Sequence, residues 1–360
     1  MTLDARGRRS GGDFRRALDD LESSEPQRRS FARFERSRAR IARNRRIGAG
    51  LVAAAVTLAA VAFLGRVFAP VGSGTPADPT LPGGLILYGH ADEGGRSRWF
   101  TVRPDGSERL DLGLETTCAV WLPDGDGILI TNDPAVGPGA PLRPAVMAPD
   151  GSNLRPLDAA RKPDLNLGCG DVSPDGTTIA LEGFGRDGHP ELDGIYSIRS
   201  ANGGGLTRLL RGPVSPPRYS PDGTRLSFFD TKAGVSPTGS GALFVMKADG
   251  SEPVRITPWG YAFDDQAWSP DGNWIVFQRP YGQLYLVRPD GSGLQRVPLE
   301  LEAGTGALNP SWSPDGEWIV FSFQRPDGAQ IVRVRPDGTG LRKVTGTIGF
   351  EAQHPDWAES

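Results

Sequence analysis

The chain has 360 residues, of which 38% are hydrophobic and 23% charged, with two cysteines. That composition excludes a chain disordered throughout and a small scaffold stapled by disulfides. Gly (49) and Pro (32) together exceed a fifth of the sequence without a three-residue period, which excludes collagen and points to many tight turns.

The net charge of −3 averages two unlike parts. Residues 1–46 carry fourteen Arg, no Lys and seven acids, a net of about +7. From residue 83 onward there are 25 Lys/Arg and 35 Asp/Glu, a net of about −10. An acidic body argues against binding a phosphate backbone, and the basic tail carries no base-reading motif, so no nucleic-acid partner is expected.

Residues 1–46 hold two weak helical stripes, Phe14/Ala17/Leu18/Leu21 and Phe31/Phe34/Arg38/Ile41, separated by a break at Pro26. Two readings stand for this basic helical tail: a face on anionic lipid, or a docking segment for a cytoplasmic protein. From Ile47 to Gly65 run nineteen residues without a charge. As a helix they span roughly 28 Å, enough for a bilayer core. Residues 47–69 are therefore expected to be a transmembrane helix. Arg36, Arg38, Arg40, Arg43, Arg45 and Arg46 precede it and only Arg66 follows closely. The positive-inside rule then puts the N-terminus in the cytoplasm and the remainder outside it, as a single-pass protein of the cell membrane. A cleaved signal peptide fits less well, because its n-region would be 46 residues long. Residues 70–83 read as a Pro/Gly linker.

Residues 84–360 repeat. One phrase occurs at 121–125 (WLPDG), 172–176 (VSPDG), 219–223 (YSPDG), 268–272 (WSPDG) and 312–316 (WSPDG), in steps of 51, 47, 49 and 44. Each leads into an apolar run, such as WIVF at 318–321. A second phrase interleaves with it at 103–107, 148–152, 200–203, 247–251, 288–292 and 335–339, for instance RPDGS. Pro presets the first corner of a turn, Asp tolerates the second and bonds back to the backbone, and Gly takes the left-handed bend. Each period then holds four strands, A to D, with the first phrase joining A to B and the second joining C to D. Four-stranded units at this spacing are expected to be propeller blades.

The second phrase has six copies and the first five. The first C–D phrase follows a B-like run at 85–88 that has no A strand before it. Trp357 lies 45 residues after Trp312 and is expected to start an A strand that has no B after it. Ring closure resolves both: an all-β, six-bladed β-propeller, whose first blade combines 84–113 with 350–360.

The W-S-P-D-G…I-V-F…R-P-D-G-S-G pattern resembles the TolB-type, WD40-like β-propeller repeat over residues 84–358. The resemblance implies a propeller used for interaction in the cell envelope. It implies no catalytic residue, because the shared motifs are turns and packing. The TolB pattern has an N-terminal α/β domain, and this chain departs from it with an anchor and a tail.

In propellers of this type the A–B and C–D turns share one rim, and the B–C and D–A loops share the other. Function is expected on the second, more variable face, with a protein, peptide or glycan ligand. Asp264, Asp265, Asn309, His354, Trp259 and Tyr261 are the candidate binding residues at the channel mouth. His90 and His189 in B–C loops, with His354 opening the last A strand, are weak metal candidates. They underlie the alternative of a metal-dependent lyase or hydrolase. No cofactor is expected. The position three residues before each A-strand aromatic reads Cys118, Cys169, Pro216, Asp265, Asn309 and His354, a mostly polar set suited to a channel wall. Cys118 and Cys169 fall there in neighbouring blades and are expected either to form a disulfide or to stay as two buried thiols.

Overall fold

The turn phrases act as their chemistry requires. In the computed structural model, Gly176, Gly223, Gly272 and Gly316 of the A–B turns all have φ near +70°. The Asp of each turn accepts the backbone N–H two residues on, as Asp175 does from Thr177 at 3.0 Å and Asp315 from Glu317 at 2.9 Å. The serine explains itself as well. The Ser313 hydroxyl donates to Asp315 at 2.5 Å and accepts the N–H of Trp318 at 2.9 Å, closing the hairpin from inside.

The structure describes residues 81–358 apart from 82, 92–96, 132–141, 158–161, 163, 187, 231–240, 262–264, 280–281 and 349–350. The tail (1–46), the apolar segment (47–69) and nearly all of the linker lie outside the described residues, as does Asp264. Among the described residues no helix is long and apolar enough to cross a membrane. The one helical turn described within the propeller is the 3-10 segment Pro190–Leu192.

Six four-stranded antiparallel sheets follow in order. Their A strands are Glu351–Trp357, Cys118–Trp121, Leu165–Val172, Arg218–Tyr219, Gln266–Trp268 and Gly306–Trp312, for blades one to six. Each A strand contacts the A strands of both neighbouring blades, so the six form a closed inner ring. Blade one is completed as expected: Glu351–Trp357 pairs with Ile86–Ala91, with Trp357 opposite Ile86. Trp357 ends this strand instead of starting it.

The outermost strands are shorter than the sequence runs suggest. Arg155–Pro156, Val254–Arg255, Gln295–Arg296 and Arg342–Lys343 pair over two residues each, and all eight side chains are exposed. Short, charged or proline-bearing edges discourage pairing with other chains.

The core is divided by seam. Each hydrophobic cluster joins two adjacent blades: Trp318, Val320 and Ile331 of blade six pack on Ile86, Tyr88 and Trp357 of blade one. Blades two and three likewise share Val120, Leu129, Leu165 and Leu181. The A-strand tryptophans add polar stitches. The indole N–H groups of Trp121, Trp268 and Trp312 donate to the carbonyls of Asp356, Arg218 and Ala267 in the preceding blade at 3.2–3.3 Å.

Candidate functional site in the axial channel

A strand that lies on the ring axis presents one face inward. In three A strands the register shifts: between Leu167 and Gly170, between Leu308 and Ser311, and against Leu87 and Gly89 near His354. These bulges re-aim one residue each. Asn309 and His354 adopt left-handed φ values of 51° and 44° there. The Asn309 bulge is held by its N–H, which donates to the Gln278 side-chain oxygen at 3.0 Å.

The result is a polar network centred on Asp265, which is 4% exposed. Asp265 Oδ2 accepts from Asn309 Nδ2 at 2.6 Å and lies 2.7 Å from His354 Nδ1. Asp265 belongs to blade five, Asn309 to blade six and His354 to blade one, so the carboxylate bridges three blades. Arg218 of blade four approaches Oδ1 at 3.9 Å and donates to the Gly170 carbonyl of blade three at 3.3 Å. Burial pushes the Asp265 carboxyl up. The His354 charge and contact, with Arg218 and Asn309, outweigh burial and hold it at about 2.

A second carboxylate behaves oppositely. Asp171 accepts the N–H of Tyr219 in the next blade at 2.8 Å. Burial raises its carboxyl to about 6, against the pull of Arg218. Asp356 plays the same backbone role one seam away, accepting the Trp121 N–H at 2.8 Å. Burial opposes the charge of Arg218, but Asp171 and Asp265 outweigh it and keep the guanidinium firmly cationic.

The two cysteines meet beside this network. Both are free thiols. The Cys169 thiol hydrogen-bonds to Cys118, which lowers Cys118, helped by the charges of His354 and Arg218 against burial. The same hydrogen bond and burial push Cys169 well up.

The sequence candidates divide. Asp265, Asn309 and His354 converge, as equal positions on neighbouring strands should. Trp259 and Tyr261 join a different environment. Tyr261 is buried, edge-on to Tyr285 at 5.4 Å with Arg279 over its ring at 4.1 Å. Burial and Tyr285 raise its hydroxyl to about 12. Trp259 packs edge-on against Phe244 at 5.9 Å, with Arg255 at 5.6 Å. These rings cap blade edges and pair with arginines, so they do not form an aromatic–acidic contact patch.

The histidines also separate. His90 lies inside the strand Ile86–Ala91, not in a loop, edge-on to Phe100 at 6.2 Å. His189 caps the turn Pro190–Leu192 and contacts Glu191 at 2.8 Å. His354 lies within its strand and pairs with Asp265. Among the described residues, no group of three or more His, Cys, Asp or Glu is placed to hold a metal.

Arg218, Asp171 and Asp356 are the functional residues missed in the sequence. They stand one residue before the A-strand aromatic, and strand alternation places that position on the same inward face as the third. The repeat pattern carried this signal, but the mixed residue types there concealed it.

Comparisons with known proteins agree with the geometry. The chain is 29% identical over 117 residues to the uncharacterized peptidase YuxL of Bacillus subtilis, a match covering 31% of this chain and only 17% of that protein. Its fold is similar to that of TolB from Acinetobacter baumannii, with a TM-score of 0.60 and 18% identity over 76% of this chain and 66% of that one. It is also similar to a chain of the nidogen/laminin complex, with a TM-score of 0.55 and 10% identity over 76% and 98% of the two chains. The PD40 model, the TolB beta propeller domain, matches residues 140–359. That span is more than half of the sequence, and the chain belongs to the PD40 family of TolB beta-propeller domains.

Proposed function

We propose that this protein is a single-pass membrane protein whose extracytoplasmic propeller is a non-enzymatic binding module for a protein, peptide or envelope glycan. Residues 1–46 then couple it to anionic lipid or to a cytoplasmic protein. The arginine-flanked, uncharged segment supports the anchor and its orientation.

The observation that carries the binding reading is the engagement of Asp265. Its buried carboxylate already takes His354, Asn309 and Arg218 from three other blades. These charges fix the shape of the channel mouth. A general acid or base near neutral pH needs a pKa near the working pH, and this carboxyl sits at about 2. The similar chain in the nidogen/laminin complex belongs to a protein–protein assembly, which fits a protein ligand.

Photo-crosslinking in membranes tests this reading on the full-length chain. A probe replacing His189, on the B–C side, is expected to give a discrete adduct that Asp265→Asn weakens at least tenfold. A probe replacing Glu317, on the P-D-G rim, is expected to give none. Adducts only from position 317 would overturn the assignment of the face.

The similarity to YuxL favours one alternative, a propeller hydrolase or lyase using metal at the funnel histidines. It requires stoichiometric metal in the purified full-length protein, lost on His354→Ala.

A further inference from the structure

Cys118 and Cys169 are the only cysteines in the chain. They occupy equivalent positions on the adjacent A strands of blades two and three, and their thiols touch across the seam. The backbone around Cys169 is built to place it. The register shift between Leu167 and Gly170 swings the residue out of the regular pleat, and its N–H donates to Glu182 Oε1 at 3.2 Å. Glycines flank it on both sides. A Cβ on Gly170 would lie 1.9 Å from the Ala180 carbonyl oxygen, and one on Gly168 would lie 2.5 Å from Glu182 Oε1. Cys118 is 3% exposed, whereas Cys169 is half-buried and keeps some open surface.

We propose that Cys118 and Cys169 are a reversible dithiol–disulfide site. In its oxidised state it covalently joins blades two and three beside the Asp265 network. Its co-reactant is a small disulfide that enters by the channel.

The exchange balances. Cys169, the more accessible thiol, attacks one sulfur of the small disulfide, breaks its S–S bond and expels a thiolate. The Cys169 proton passes to the Cys118 sulfur, and the expelled thiolate removes it. The Cys118 thiolate then attacks the Cys169 sulfur of the mixed disulfide and expels the second small thiol. Two protein thiols are oxidised, and one small disulfide is reduced to two thiols. Attack by a thiolate through a mixed disulfide is the general route of such exchange. Arg218 and His354 stand where their positive charge favours the Cys118 thiolate. Closing the bond removes that negative charge from the channel and fastens a seam otherwise held by packing. This inference does not rest on the binding reading.

The experiment equilibrates the full-length chain in glutathione buffers from fully reduced to fully oxidised, with acid quenching, alkylation, intact mass and peptide mapping. The expected result is a single transition that loses two hydrogens and links the peptides containing residues 118 and 169 within one chain. In oxidised buffer, Cys118→Ser should hold one glutathione on Cys169, whereas Cys169→Ser should react at least tenfold more slowly at the buried Cys118. The linked form should also unfold at higher urea than the reduced form. Two alkylatable thiols after the fully oxidised buffer, separate glutathione adducts on both cysteines, or a link only between chains would overturn the proposal.

Discussion

Gly316 and Gly338 sit in nearly identical phrases but answer to different constraints. Gly316, in an A–B turn, has φ +70° and only the side chain of Pro270 nearby, at 3.5 Å. Gly338, in a C–D turn, has φ +82°, and a Cβ there would lie 2.5 Å from the carbonyl oxygen of Pro298 in the preceding blade. The same approach recurs at Gly106 against Val344, Gly151 against Leu112, Gly203 against Leu157 and Gly250 against Leu209. Gly316→Ala should therefore cost about 1 kcal/mol, the strain of a left-handed alanine. Gly338→Ala should cost clearly more in urea titrations, since a seam must open as well. The left-handed turn was legible in the P-D-G phrase. The inter-blade contact was not, because it depends on how blades pack. Asp265, Asn309 and His354 were readable for a related reason, since equal positions on successive A strands face one axis. Asp264, Trp259 and Tyr261 were chosen for proximity in sequence, which says little about direction in a D–A connection.

The two channel carboxylates give a pH test at the same scale. Asp171 is raised to about 6 when folded, whereas an unfolded Asp titrates near about 4. Its contribution is therefore full below about 4 and is lost as pH rises through about 6. Asp265 is depressed to about 2, so its contribution is present above about 4 and is lost as pH falls toward about 2. Urea midpoints measured against pH should show the upper decline vanish in Asp171→Asn and the acid decline vanish in Asp265→Asn. Unchanged profiles would mean that neither group carries the shift its surroundings imply.

Among the elements, the strand Glu351–Trp357 has the largest consequence for its length. It supplies the inner strand of blade one, and Trp357 fills the seam between blades one and six. The Trp357 indole also donates to the Gly83 carbonyl at 3.1 Å. Trp357→Ala should cost about 3–5 kcal/mol, the usual range for emptying a buried tryptophan site. A chain ending at residue 350 should lose cooperative unfolding, because Ile86–Ala91 would become an exposed inner edge. Circular dichroism melts compare the two directly. The need for this strand was visible by counting turn phrases, five of one kind against six of the other. Its start was not, because a register shift beside His354 lengthens it upstream of the repeated aromatic. The outer strands were over-read for the converse reason: an alternating run such as LQRV at 294–297 looks like a full strand, yet edge position leaves only Gln295–Arg296 paired.

For the whole molecule, closure is a matter of chain path as well as packing. Every seam between blades is crossed once by the backbone, and the seam between blades six and one is crossed only by the segment leading into Glu351–Trp357. A circular permutant that moves 351–358 ahead of residue 84 keeps all 24 strands and all six sheets. It removes the covalent crossing of that one seam. Side-chain packing of Trp318, Val320 and Ile331 on Ile86 and Tyr88 must then hold the ring alone. The expected outcome is a folded permutant with an unchanged far-ultraviolet spectrum and a lower urea midpoint. The loss should be about 4 kcal/mol, the entropy scale of closing a loop of roughly 100 residues. Limited proteolysis should locate the first cuts at the freed seam. A permutant as stable as the parent would show that packing between blades closes the wheel and that the chain crossing adds nothing.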